Sequence, residues 1–123
     1  MALNREQEVG NRLSLDVSGV NGSGTGNLVV SGDPLAVGQV PGVALTDEDS
    51  AGLATVQTDG VFRLNVHGFD ASTAAAVTAG AIVYWDDSAG ELNIDSSNGV
   101  RFGYALEAVA SGATTEINVK VGY

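Results

Sequence analysis

Residues 80–106 read Gly-Ala-Ile-Val-Tyr-Trp-Asp-Asp-Ser-Ala-Gly-Glu-Leu-Asn-Ile-Asp-Ser-Ser-Asn-Gly-Val-Arg-Phe-Gly-Tyr-Ala-Leu, and this stretch decides the fold class. An apolar run over 81–85 stops at an Asp-Asp-Ser-Ala-Gly turn. Residues 91–95 then alternate Leu92 and Ile94 with polar side chains, the period of two of a half-buried strand. A second turn over 96–99 leads into another strand over 101–106. Three short strands separated by two polar, glycine-bearing turns are the pattern of a compact all-β domain.

The same rhythm extends outward in both directions. Leu13, Leu15 and Val17 alternate with Ser14, Asp16 and Ser18. Short strands are expected over 28–30, 35–37, 43–45, 53–57, 61–66 and 116–121, with Gly38 and Pro41-Gly42 separating the early ones. Thr58-Asp59-Gly60 reads as a hairpin turn, because Asp-Gly supplies the positive φ values that such turns need. Residues 19–27 are a glycine-rich loop read as an exposed hairpin connection. Its glycines match no phosphate-binding fingerprint, and no helix follows. Only residues 70–79 have helical character, from Asp70 or Ser72 as a cap and a run of alanines. The expected architecture is mainly β: a small β-barrel or β-sandwich of short antiparallel strands, with an extended N-terminal arm and at most one short helix. Residues 1–12 form the arm and 13–123 the single β domain.

An internal echo runs through the chain. Gly42-Val43-Ala44-Leu45 returns sixty-one residues later as Gly103-Tyr104-Ala105-Leu106, and the same offset carries Ser50 to Ser111, Ala54 to Thr115 and Val56 to Ile117. Gly32 and the strand after Pro34 parallel Gly80 and the strand after it. Two related β-units in a pseudo-symmetric core are the economical reading. Small residues in mid-strand further imply that another backbone or side chain packs close above them.

Composition narrows the function classes. The 123 residues hold 15 acids against 5 bases, a formal net charge of −10. Arg5, Arg12, Arg63, Arg101 and Lys120 are scattered, so no basic patch is available to neutralise phosphates or an anionic bilayer, and neither nucleic acid nor membrane is expected as a partner. The longest mostly apolar stretch, 74–85, is too short to span a bilayer. The opening residues lack the basic start and apolar core of a secretory signal. Cysteine is absent, which removes disulfides, thiolate metal sites and cysteine nucleophiles. Seventeen glycines, about twice ordinary usage, agree with many turns between many strands. A soluble, acidic, single-domain protein is expected.

Candidate chemistry is sparse. His67, the only histidine, sits in no nucleophile frame and reads as a surface or interface side chain. Asp47, Asp49 and Gly52 match three places of a calcium-binding loop, but Ala51 and Thr58 occupy two ligand places, so a solvated acidic turn is expected. Asp86 and Asp87 are adjacent and would point to opposite faces of a strand. Trp85 is read as a core plug. Neither an enzyme signature nor a cofactor site emerges.

The order of these motifs resembles a known family. Asn4 with Gln7-Glu8-x-Gly10 is followed by Ser31-Gly32-Asp33-Pro34, then Gly42-Val43-Ala44-Leu45-Thr46-Asp47, Asp59-Gly60-Val61-Phe62, Gly80-x-x-Val83-Tyr84-Trp85-Asp86 and Phe102-Gly103-Tyr104-Ala105-Leu106. The series is similar to the capsid cement, or decoration, proteins of tailed phages, from Asn4 to about Val121. Two departures stand out: the 21–27 loop is longer and richer in glycine, and Gly80-Ala81 stands where Gly-Asp is common. The resemblance implies a non-enzymatic virion protein on the outer surface of the expanded icosahedral head. It would bridge subunits of the major capsid protein as a homotrimer and stabilise the shell against internal DNA pressure. Asn4, Arg5, Gln7 and Arg12 are the first candidates for capsid contact. The alternatives are another virion β-module, such as a head-fibre or spike base, or a carbohydrate-binding domain, against which the dispersal of the seven aromatic residues weighs.

Overall fold

The computed structural model describes residues 12–71 and 73–122, and these fold almost wholly as β-structure. In chain order the strands are β1 (Arg12–Asp16), β2 (Pro34–Val37), β3 (Val40–Ala44), β4 (Leu53–Gln57), β5 (Gly60–His67), β6 (Phe69–Asp70), β7 (Thr73–Ala74), β8 (Ile82–Asp86), β9 (Glu91–Asn93), β10 (Val100–Ala105) and β11 (Thr114–Val121). β1, β4, β3 and β2 form an antiparallel sheet in that order, while β10, β11, β5, β9 and β8 close into a barrel. The mainly-β expectation is met, barrel included. The only helical turn among the described residues is a short 3₁₀ segment, Thr25–Asn27.

Alternation explains how the strands bury one face. On β11, Ile117, Val119 and Val121 are buried while Glu116 and Lys120 are exposed; on β5, Leu64 and Val66 turn inward between exposed Arg63 and Asn65. These two strands pair over eight residues, Thr114 with His67 through Val121 with Gly60. The barrel's other closure is far shorter, with β5 and β9 meeting in parallel at Val66 and Leu92 alone. One apolar cluster runs through both sheets, from Val17 and Leu35 through Val56 to Trp85, Phe102 and Val121.

The sequence echo is a structural repeat, and it reaches further than the motif that announced it. Residues 12–57 form one four-stranded unit, and residues 60–121 repeat its plan, with β5, β8, β10 and β11 taking the places of β1, β2, β3 and β4. The strand orders correspond, β1-β4-β3-β2 against β5-β11-β10-β8. Leu15 pairs with Ala54 as Val66 pairs with Thr115, and Leu35 pairs with Gly42 as Val83 pairs with Gly103. The connections repeat as well. Gly32 N–H donates to Ala44 O at 2.7 Å and Ala44 N–H returns to Asp33 O at 2.9 Å; Gly80 and Ala105 do the same at 2.7 Å, with Ala105 N–H returning to Ala81 O at 2.9 Å. Both glycines have positive φ, 95° and 88°, which an L side chain rarely adopts. One register differs: Ala44 faces Val56, whereas Ala105 faces Val119, a shift of two residues on the fourth strand.

Several local expectations are corrected. β4 and β5 are not a hairpin: β4 pairs with β1 and β3, and β5 with β11 and β9, so Asp59-Gly60 marks the boundary between the repeats. The described residues of 70–79 are not helical. Val77 is buried and its N–H and C=O both bond Val109 at 2.9 Å, so tertiary pairing overrides the local propensity of the alanines. Residues 28–30 are not an assigned strand, although Val29 is buried in the core. Pro41-Gly42 does not break the chain but lies inside β3. Pairing of β3 with β4 begins only at Val43, so the missing proline N–H disrupts no bond on that side. The 19–27 loop does not join a hairpin, since β1 and β2 lie at opposite ends of their sheet.

Gly42 and Gly103 confirm the close approach inferred from small mid-strand residues. A Cβ on Gly103 would run into Lys120 O, and one on Gly42 into Val56 Cγ1 and Gln57 O. Gly19 has open space around it. We predict that Gly103→Ala and Gly42→Ala each lower unfolding stability by about 2–3 kcal/mol, the cost of overpacking a rigid neighbour. Gly19→Ala should change it by less than about 0.5 kcal/mol, all three being read from urea unfolding midpoints.

Candidate functional site

An open cleft of about 780 Å³ lies between the 21–34 segment of the first unit and the β5–β9 wall of the second. Its first wall is tied down by polar side chains, as a glycine-rich loop requires in order to hold a position. Asn21 N–H donates to Asp87 Oδ1 at 3.0 Å and its side-chain amide to Asp87 O at 2.6 Å. Ser23 donates twice to Asp33, at 2.9 and 2.6 Å. Asp87 Oδ1 also accepts from the indole N–H of Trp85 at 3.3 Å, which links the loop to the buried ring. Trp85 is core, as expected, at 3% exposure.

The opposite wall carries the charges, and they are paired with one another. Glu91 Oε2 lies 2.7 Å from His67 Nδ1 and accepts from Asn93 at 3.1 Å, while the imidazole stacks on Phe69 with centroids 5.2 Å apart. Arg63 bonds Glu116 at 3.0 Å and Glu107 at 3.4 Å on an exposed face. Such exposed pairs contribute little stability. Among the described residues no serine or threonine hydroxyl hydrogen-bonds the ring of His67, so the contact between nucleophile and base that covalent catalysis needs is not assembled there.

The acidic residues flagged by spacing serve as turn caps. Asp47 Oδ1 accepts Ser31 N–H at 2.8 Å, Glu48 Oε1 accepts Val29 N–H at 3.1 Å, and Asp49 Oδ1 accepts the N–H groups of Ala51 and Leu53 at 2.9 Å. Asp86 Oδ1 accepts Ser88 Oγ at 2.8 Å. Among the described residues no cluster of three potential metal ligands occurs. Asp49 and Asp86 hold their own turns, while Asp47 and Glu48 tie their loop to the 29–31 segment, so these carboxylates serve the many turns and loops of the chain.

Of the predicted contact residues, Asn4, Arg5 and Gln7 lie outside the described residues. Arg12 is exposed at the start of β1, opposite Gln57. The structure adds apolar surface that sequence reasoning did not single out: Val61 is 57% exposed and Leu106 44%, with Leu28, Val40 and Leu53 also exposed. Val61 and Leu106 were concealed because both fall in apolar, strand-like runs, which a one-dimensional pattern assigns to the interior.

Two carboxylates titrate below the ordinary range. The amide of Asn98 and the N–H groups of Ser97 and Asn98 hold the charged form of Asp95, whose side chain lies in the turn after β9; Ser18 does the same for Asp16. A group with a depressed native pKa stabilises the fold above its unfolded pKa and loses that contribution as pH falls through the native value. The contribution of these two carboxylates should therefore be constant from pH 7 to about 5 and decline below about pH 4. Asp95→Asn should make the acid decline shallower, as measured by the urea midpoint against pH.

Residues 18–121, nearly the whole chain, match the family model described as phage cement protein. No curated protein and no solved structure matches the chain.

Proposed function

The chain belongs to the phage cement protein family, and from that premise we propose that it binds the outside of the expanded icosahedral head as a homotrimer, bridging subunits of the major capsid protein. The family match across residues 18–121 carries this reading. A capsid component of this family needs no reaction chemistry. Its work is to lower the free energy of the closed shell, so that modest contacts repeated over many copies add up to resistance against the pressure of packaged DNA. The fold suits that task. Two units of one plan share a continuous apolar core, which gives a stiff body. The net charge of −10 keeps many copies soluble and repels DNA.

In this proposal residues 1–12 are the arm that orders on binding, with Asn4, Arg5, Gln7 and Arg12 touching the shell, and residues 13–123 are the body. The polar groups along the cleft, hydrogen-bonded to one another, act as structure and not as catalysts.

Deleting residues 1–12 should leave a folded body whose occupancy on expanded, undecorated heads falls at least tenfold, measured by co-sedimentation at increasing protein concentration. Equal occupancy by the truncated and full chains would remove the arm from the proposal. Absence of the full chain from purified heads would remove the proposal itself.

A further inference from the structure

The repeat exposes an inequality between the two units. In the second unit β9 fills the place between β8 and β5, running antiparallel to the former and parallel to the latter. Its Leu92 covers Trp85 on one side and Val66 on the other, and the three are 0%, 3% and 0% exposed respectively. In the first unit the connection that holds β9 is reduced to Gly38-Gln39, between β2 and β3. Val37 occupies the place of Trp85, five residues after the turn glycine, and Leu15 that of Val66. Both remain only partly buried against the core. Among the described residues no strand pairs with the free edge of β2 or of β1. The 19–27 loop makes its hydrogen bonds within itself and to Val17, Leu28, Asp33 and Asp87, not to the strand edges of β1 or β2.

We infer that this slot receives a strand from a second copy of the chain, namely its residues Ala2-Leu3-Asn4. Leu3-Asn4 repeats the Leu92-Asn93 dipeptide of β9, so Leu3 would cover Val37 and Leu15 as Leu92 covers Trp85 and Val66. Direction decides between the chain's own arm and a neighbour's. A strand in the β9 position runs parallel to the first strand of its unit, and parallel neighbours need a crossover of about a dozen or more residues. Only residues 5–11 separate this segment from Arg12, where β1 begins. The chain's own arm is too short to enter its own slot in that direction, whereas a neighbour's arm meets no such limit.

Arm and slot are different surfaces, so the contact is either exchanged reciprocally between two chains or passed head-to-tail around a closed ring. The inference does not rest on shell binding. Combined with the proposed function, it gives Leu3 to the neighbour and leaves Asn4, on the opposite face of that strand, with Arg5, Gln7 and Arg12 for the shell.

Because the chain lacks cysteine, introduced thiols report without interference. In an oxidised equimolar mixture of Leu3→Cys and Val37→Cys chains, a mixed disulfide dimer should form at least tenfold faster than between Leu3→Cys and the exposed control Val61→Cys. Equal rates would overturn the inference. So would an intramolecular loop as the main product of the double variant. Light scattering supplies the second reading: the full chain should self-associate at high concentration, and both the chain lacking residues 1–11 and Leu3→Asp should be monomeric. Full-chain monomers, or association unchanged by removing the arm, would also overturn it. Head binding is scored separately by co-sedimentation, so either idea can fail alone.

Discussion

A reciprocal pair of backbone hydrogen bonds, made twice, sets the frame of this molecule. Gly32 and Ala44 form it in the first unit, with Asp33 completing the pair, and Gly80, Ala81 and Ala105 form it in the second. Each joins the turn ahead of the second strand to the end of the third, and so fixes where those strands begin and stop. Next to each stands a glycine, Gly42 or Gly103, with no room for a β-carbon because the adjacent strand of the same sheet presses against it. The requirement at these points is for absence of bulk, and absence of bulk is what the Gly-φ-Ala-Leu motif records.

That constraint also explains how much of the fold was legible. Strand positions followed from alternation, and the recurrence of a glycine-centred motif disclosed the duplication. Pairing partners were not legible to the same degree. Asp59-Gly60 has the composition of a hairpin, yet the strands on either side belong to different units, and only the whole hydrogen-bonding pattern distinguishes a turn within a sheet from a joint between two. Residues 70–79 misled for a related reason: an alanine-rich segment has weak local preferences, and the bonds of Val77 to Val109 settle its conformation from outside.

The site was legible mainly by subtraction. The sequence lacks the frames that organise catalysis, and the structure gives the suspicious carboxylates an ordinary employment as caps for the loop amides of a turn-rich chain. Surface identity was harder to read. Val61 and Leu106 look interior in one dimension and lie outside in three, since a strand's apolar residues can face a partner as readily as a core. Recognition by assembly leaves no motif comparable to a catalytic triad, so the family match contributes what spacing could not.

The seam at Val66 and Leu92 has a mechanical consequence. Eight residue pairs fasten β5 to β11, but one parallel backbone pair and the His67–Glu91 contact fasten it to β9. A tube with one weak weld opens along that line, so tension across the barrel would peel the short strand away while the long ladder holds.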